Sequence, residues 1–101
     1  MDLSELTTKA KDALAGGVPG FTKKVKFDFG DVGKLLLDGE TNTASNDDGE
    51  ADATLSLDWD NFLKMAKGEM DPTMAYMQGK LKISGDMSVA MQLKDLLSKF
   101  G

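Results

Sequence analysis

Hydrophobic positions along the chain change period several times, and each change marks an element. Leu3, Leu6, Ala10, Ala13 and Leu14 recur at helical spacing. Asp2 and Glu5 stand at capping-box distance and Gly16-Gly17 supplies a stop, so a helix is predicted over 3–15. Beyond the Val18-Pro19-Gly20 turn the period drops to two. Val25, Phe27 and Phe29 alternate with Lys26 and Asp28, the pattern of a strand with one wet face. Lys34 to Leu37 is apolar on both faces and reads as an interior strand. Asp38-Gly39 and Asp48-Gly49 are hairpin signals. Between them Thr41 to Asn46 is polar on both faces, a weakly specified edge. Ala53, Leu55 and Leu57 form the inner face of a fourth strand, completing an antiparallel meander over 23–58.

Asp58 then opens a helix with Trp59, Phe62, Leu63 and Ala66 on one face, ended by Gly68. Asp71-Pro72 starts a second turn of helix: aspartate caps it, and proline lacks an N–H that the first turn does not need. Together these predict crossover helices over 59–78. Lys80-Leu81-Lys82-Ile83-Ser84 alternates again, a strand over 80–84. Gly85-Asp86 turns the chain into a last helix, 87–100, with Val89, Ala90, Leu93, Leu96, Leu97 and Phe100 as its main stripe. Helices that segregate from an antiparallel-rich sheet imply an α+β layered architecture.

The 101 residues are enough for one domain with a single core. The twelve basic residues are all lysine, histidine is absent, and the net charge is −5. No basic face with arginine forks is available, which argues against nucleic acid as a partner. Lys23, Lys24 and Lys26 allow at most a transient membrane contact, and a solvated strand edge and loop is the simpler reading of that trio. Cysteine is absent too, so neither disulfides nor thiol chemistry is available; a reducing, cytoplasmic setting is the expectation. No apolar run reaches the roughly 18 residues of a spanning helix, and the N-terminus has neither the basic flank nor the apolar run of a signal peptide.

Candidate chemistry is thin. Without histidine or cysteine the commonest general base, metal ligand and strong nucleophile are missing, so an enzyme acting alone is not expected. The acidic cluster Asp47, Asp48, Glu50 and Asp52 fails as a calcium loop. Aligning Gly49 with the EF-hand glycine puts Ala44 at the first ligand position and Leu55 at the last. A solvated hairpin tip is the expected role of those acids. Neither a phosphate-cradling nor a dinucleotide-binding glycine motif occurs, and no cofactor or metal is called for.

The signature of the chain lies in Ala75 to Asp86, AYMQGKLKISGD, with Ala90 and Leu93 beyond it. This run resembles the sterol carrier protein type 2 (sterol-carrier-like) domain family, in which Q-G-K-L-K-I-x-G-[ND] precedes a helix containing A-x-x-L. Ala53 to Leu57, Phe62-Leu63 and Gly68 to Pro72 fall in the order that the family shows. The resemblance implies one domain over 1–101: a five-stranded, mostly antiparallel sheet covered by helices on one side, with an apolar cavity between the layers. It also implies non-catalytic binding and carriage of lipids (fatty acyl, sterol-like or isoprenoid). The walls of such a cavity would come from Phe27, Leu35, Leu37, Leu55, Phe62, Met65, Met74, Met77, Leu81, Met87 and Met91.

Six of the seven methionines, Met65, Met70, Met74, Met77, Met87 and Met91, lie around that signature. Methionine is flexible and polarizable and suits surfaces that adapt to varied apolar partners. At helical geometry Met87 and Met91 stand nearly opposite Val89, Leu93 and Phe100, a second apolar face that a two-layer domain does not need. An alternative function is therefore an accessory subunit that docks through this face on an enzyme of lipid or quinone metabolism. The failed calcium motif sets a first test: a chelator leaves the thermal midpoint unchanged, and a fall of several degrees would revive a metal role for the acidic cluster.

Overall fold

The computed structural model describes residues 2–92. Helix α1, Leu3–Ala15, is capped by Asp2, whose carboxylate accepts the Glu5 N–H at 2.8 Å. Its buried residues Leu6, Ala10 and Leu14 lie on one face. The strands are β1 (Lys24–Asp28), β2 (Lys34–Asp38), β3 (Thr43–Ser45), β4 (Ala53–Leu57) and β5 (Leu81–Gly85). Helices α2 (Trp59–Ala66) and α3 (Pro72–Met77) lie between β4 and β5, and α4 (Met87–Met91) follows β5. The rest of the helix expected over 87–100, from Leu93 onward, lies outside the described residues.

The five strands are ordered β3-β2-β1-β4-β5. Three of the neighbouring pairs are antiparallel, but β1 and β4 are parallel, with Val25 opposite Ala53 and Phe27 opposite Leu55. The sheet is mostly antiparallel as expected, yet the meander over 23–58 stops at β3, and Asp48-Gly49 is not a hairpin. Apolar content explains the order. β1 carries the fully buried Val25 and Phe27 and gains apolar neighbours on both sides, whereas β3 buries only Ala44 and takes the edge. Asp38 makes a turn of another kind: its carboxylate accepts the N–H groups of Glu40 and Thr41, holding a four-residue connection, 39–42, to β3.

The connection from β3 to β4 crosses the sheet face turned away from the helices. Lys26 and Lys34 point to that face, and both meet Asp48, at 2.8 and 3.9 Å. Lys26 also donates to the Gly49 carbonyl at 3.2 Å. The acids expected at a solvated hairpin tip are thus part of a strap, and Lys26 is a half-buried ion-pair partner rather than part of a free basic trio. The hydrogen bond from Lys26, and then its charge, hold the Asp48 carboxyl below the ordinary carboxylate range. At its start the strap is tied to α1: the Asn46 amide donates to the Thr7 hydroxyl at 3.0 Å and to the Lys34 carbonyl at 2.8 Å. At its end, the Asp52 carboxylate accepts the Lys24 N–H and the Asp52 N–H donates to the Lys24 carbonyl.

On the other face the inward residues of β1, β2, β4 and β5 join buried residues of all four helices in one cluster. Helix α2 docks through rings. Phe62 meets Phe27 and Phe29 edge-on, at centroid distances of 5.3 and 5.1 Å, and Trp59 meets Phe29 at 5.0 Å. Such edge-to-face pairs add about 0.5–1.5 kcal/mol each beyond burial.

Gly85 has φ 98°, and a Cβ there would collide with the Asp52 carbonyl. Gly85→Ala lowers stability by about 1–3 kcal/mol, read by denaturant melts; an unchanged midpoint would show that the β4–β5 corner is not constrained. Asp48→Asn lowers the thermal midpoint at neutral pH. Because the native carboxyl titrates below its unfolded value, its contribution is present above the unfolded pKa and lost as pH falls through the folded one. The two melting curves therefore converge in acid, and a gap that persists there excludes the ion pair as its cause.

Candidate functional site

The inner face of the sheet is a continuous apolar floor. Register sets Phe27 between Leu35 and Leu55, Leu37 beside Val25, and Leu81 beside Leu57. Phe62 and Met65, one turn apart on α2, cover this floor. These seven expected wall residues, Phe27, Leu35, Leu37, Leu55, Phe62, Met65 and Leu81, are all buried and belong to the one core cluster. Among the described residues no buried side-chain nitrogen or oxygen lacks a hydrogen-bond partner. The seven side chains are all apolar, so what they offer is dispersion and burial.

The methionines divide differently. Met74, Met77 and Met87 are 52%, 75% and 45% exposed and are not part of the buried layer. Helix geometry gives the reason. Six-residue α3 turns Ala75 inward, and steps of 100° carry Met74 and Met77 away from the sheet. Among the described side chains of α4, Val89, two positions from Met87, points inward. The side chain of Met91 lies outside the described part, as do Leu93 and Phe100. Asp86 caps α4 by accepting the Ser88 hydroxyl at 2.6 Å and the Ser88 N–H at 2.9 Å, which hold its carboxyl below the ordinary range.

A groove of about 480 Å³ lies where the parallel strands β1 and β4 end and β5 begins. Phe29 and Leu57 give it an apolar side; Asp28, Asp58, Lys80 and Lys82 give it two carboxylates and two ammonium groups. The Asp28 carboxylate accepts the Gly30 N–H at 2.9 Å, whereas Asp58 starts α2 without using its side chain as a cap. Sequence patterning did not single out this groove, because its residues converge only through the β1–β4 pairing. The alternation of Lys80 and Lys82 was its one visible trace. No cluster of three or more potential metal ligands occurs among the described residues.

The chain is 45% identical over 75 residues to hydroxysteroid dehydrogenase-like protein 2 of Xenopus laevis, covering 74% of this chain and 16% of that protein. The Bos taurus protein of the same name is 36% identical over 96 residues, 88% of this chain and 23% of its own length. The chain thus spans less than a quarter of these relatives. Among solved structures, sterol carrier protein 2 of Aedes aegypti in complex with palmitate superposes with a TM-score of 0.80 at 20% identity, covering 98% of both chains. Sterol carrier protein 2 of Yarrowia lipolytica superposes with a TM-score of 0.69 at 20% identity, covering 97% of this chain and 80% of the other. The fold is shared with these structures, and with the family's sequence profile matching residues 3–98, the chain belongs to the SCP-2 sterol transfer family.

Proposed function

We propose that this chain binds lipids in the apolar layer between sheet and helices and carries them without catalysing a reaction. The observation that carries this reading is the uninterrupted apolar face formed by Phe27, Leu35, Leu37, Leu55 and Leu81 under Phe62 and Met65, in a chain of this family. Family membership and the palmitate complex of the Aedes aegypti protein support fatty acyl ligands first, with sterol-like and isoprenoid molecules in the same apolar class. Affinity comes from burial, about 0.8 kcal/mol per methylene taken out of water. The side chains that form this face and its α2 cover are all apolar, which favours broad specificity. The unbranched Met65 side chain, buried above this face, adapts most readily to a bound chain.

The relatives favour a second setting for the same module. Their names are dehydrogenase-like and the matched stretch is a small part of each, which supports a carrier that works beside an enzyme.

The test is a titration of the purified chain with a fluorescent fatty acid, with native mass spectrometry for co-purifying lipid. Saturable binding of one ligand per chain, displaced by palmitate, is expected. Met65→Gln weakens it about tenfold, or 1.4 kcal/mol, with the circular dichroism spectrum retained. Absence of both saturable binding and co-purifying lipid sinks the reading.

A further inference from the structure

Identical thioethers stand in very different surroundings in this structure. Of the five methionine side chains described, Met74, Met77 and Met87 are 52%, 75% and 45% exposed, Met70 is partly buried against the core, and Met65 is 4% exposed. Cysteine is absent, so thioether sulfur is the softest nucleophile that the chain offers to an oxidant. We propose that Met74, Met77 and Met87 are oxidation sites for hydroperoxides, which they consume ahead of Met65, and that the apolar layer is thereby kept intact. This inference goes beyond the carrier reading and does not depend on it.

The step is an oxygen transfer. A sulfur lone pair attacks the outer oxygen of the hydroperoxide, an S–O bond forms and the O–O bond breaks. The proton on the transferred oxygen passes to the departing one. Sulfur is oxidised by two electrons to the sulfoxide, and the hydroperoxide is reduced to an alcohol, or to water where it is hydrogen peroxide. Neither a metal nor a further reductant enters the balance. Access decides the rate, because the oxidant has to reach sulfur. Packing decides the consequence. A sulfoxide is polar, and at Met74, Met77 or Met87 its oxygen reaches solvent. Helix α3 is anchored by Ala75 and capped by Asp71, while α4 is anchored by Val89 and capped by Asp86. None of these supports involves an oxidised side chain. At Met65 the same oxygen would stand in the apolar core cluster, where a polar atom without a hydrogen-bond partner is costly. Sulfoxides are reversible by reductases, so the exposed sites can be restored and used again.

The experiment treats the folded full chain with limiting hydrogen peroxide or tert-butyl hydroperoxide and follows oxygen uptake at each methionine by mass spectrometry of its peptides. Met74, Met77 and Met87 are each expected to react about tenfold faster than Met65, and unfolding in urea is expected to erase the difference. A chain oxidised at those three positions is expected to keep its circular dichroism spectrum and thermal midpoint. The variant Met74→Leu/Met77→Leu/Met87→Leu retains apolar side chains at these exposed positions but has no sulfur there. At the same peroxide dose it is expected to accumulate about twofold more sulfoxide at Met65 than wild type does. Oxidation of Met65 in the folded wild type as fast as that of the exposed three overturns the proposal, whether or not the variant folds. So does loss of the fold when those three alone are oxidised, or a folded leucine variant whose Met65 is no more oxidised than in wild type.

Discussion

The parallel pairing of β1 with β4 is the constraint on which the rest of this structure depends. It makes β1 the centre of the sheet, so that Phe27 has apolar neighbours on both sides and Phe62 above it. It forces residues 46–52 to cross two strands, since β3 ends at the far edge. Asp52 secures the end of that crossing by holding both main-chain polar groups of Lys24, while its carbonyl accepts the Asp86 N–H at the start of α4. One residue therefore ties together β1, β4 and the corner after β5.

The same pairing separates two chemistries. Facing the helices, the sheet is wholly apolar in its central columns, and binding there is a matter of area removed from water. The opposite face carries Lys26, Lys34 and the strap, where charge is compensated locally by Asp48. Where β1 and β4 end together, the groove with Asp28, Asp58, Lys80 and Lys82 brings the two chemistries side by side. A carrier benefits from that separation, because polar groups inside the layer would favour one ligand over others.

The methionines show how short helices distribute a sequence. Helix α2 is long enough to present Phe62, Met65 and Ala66 on one side. Helix α3, with six residues, satisfies its packing with Ala75 and leaves Met74 and Met77 outside. Identical side chains thus serve the core in one helix and the surface in the next, and composition alone does not distinguish the two.

Local periodicity and capping were legible in the sequence because they depend on neighbours within a few residues. Asp2 before α1, Asp71-Pro72 before α3, and the alternation of Val25, Phe27 and Phe29 state their structures without reference to the rest of the chain. The run from Ala75 to Asp86 identified the family for the same reason, and with it the five strands under a layer of helices. Only the tertiary structure decided the order of those strands, since β3 and β4 carry equally plausible hairpin signals and differ in how much apolar surface each must bury. It decided that Asp48 faces Lys26 across 22 residues of chain. It also decided which methionines point inward, because the azimuth of a short helix is set by whichever residue the sheet accepts, here Ala75 and Val89.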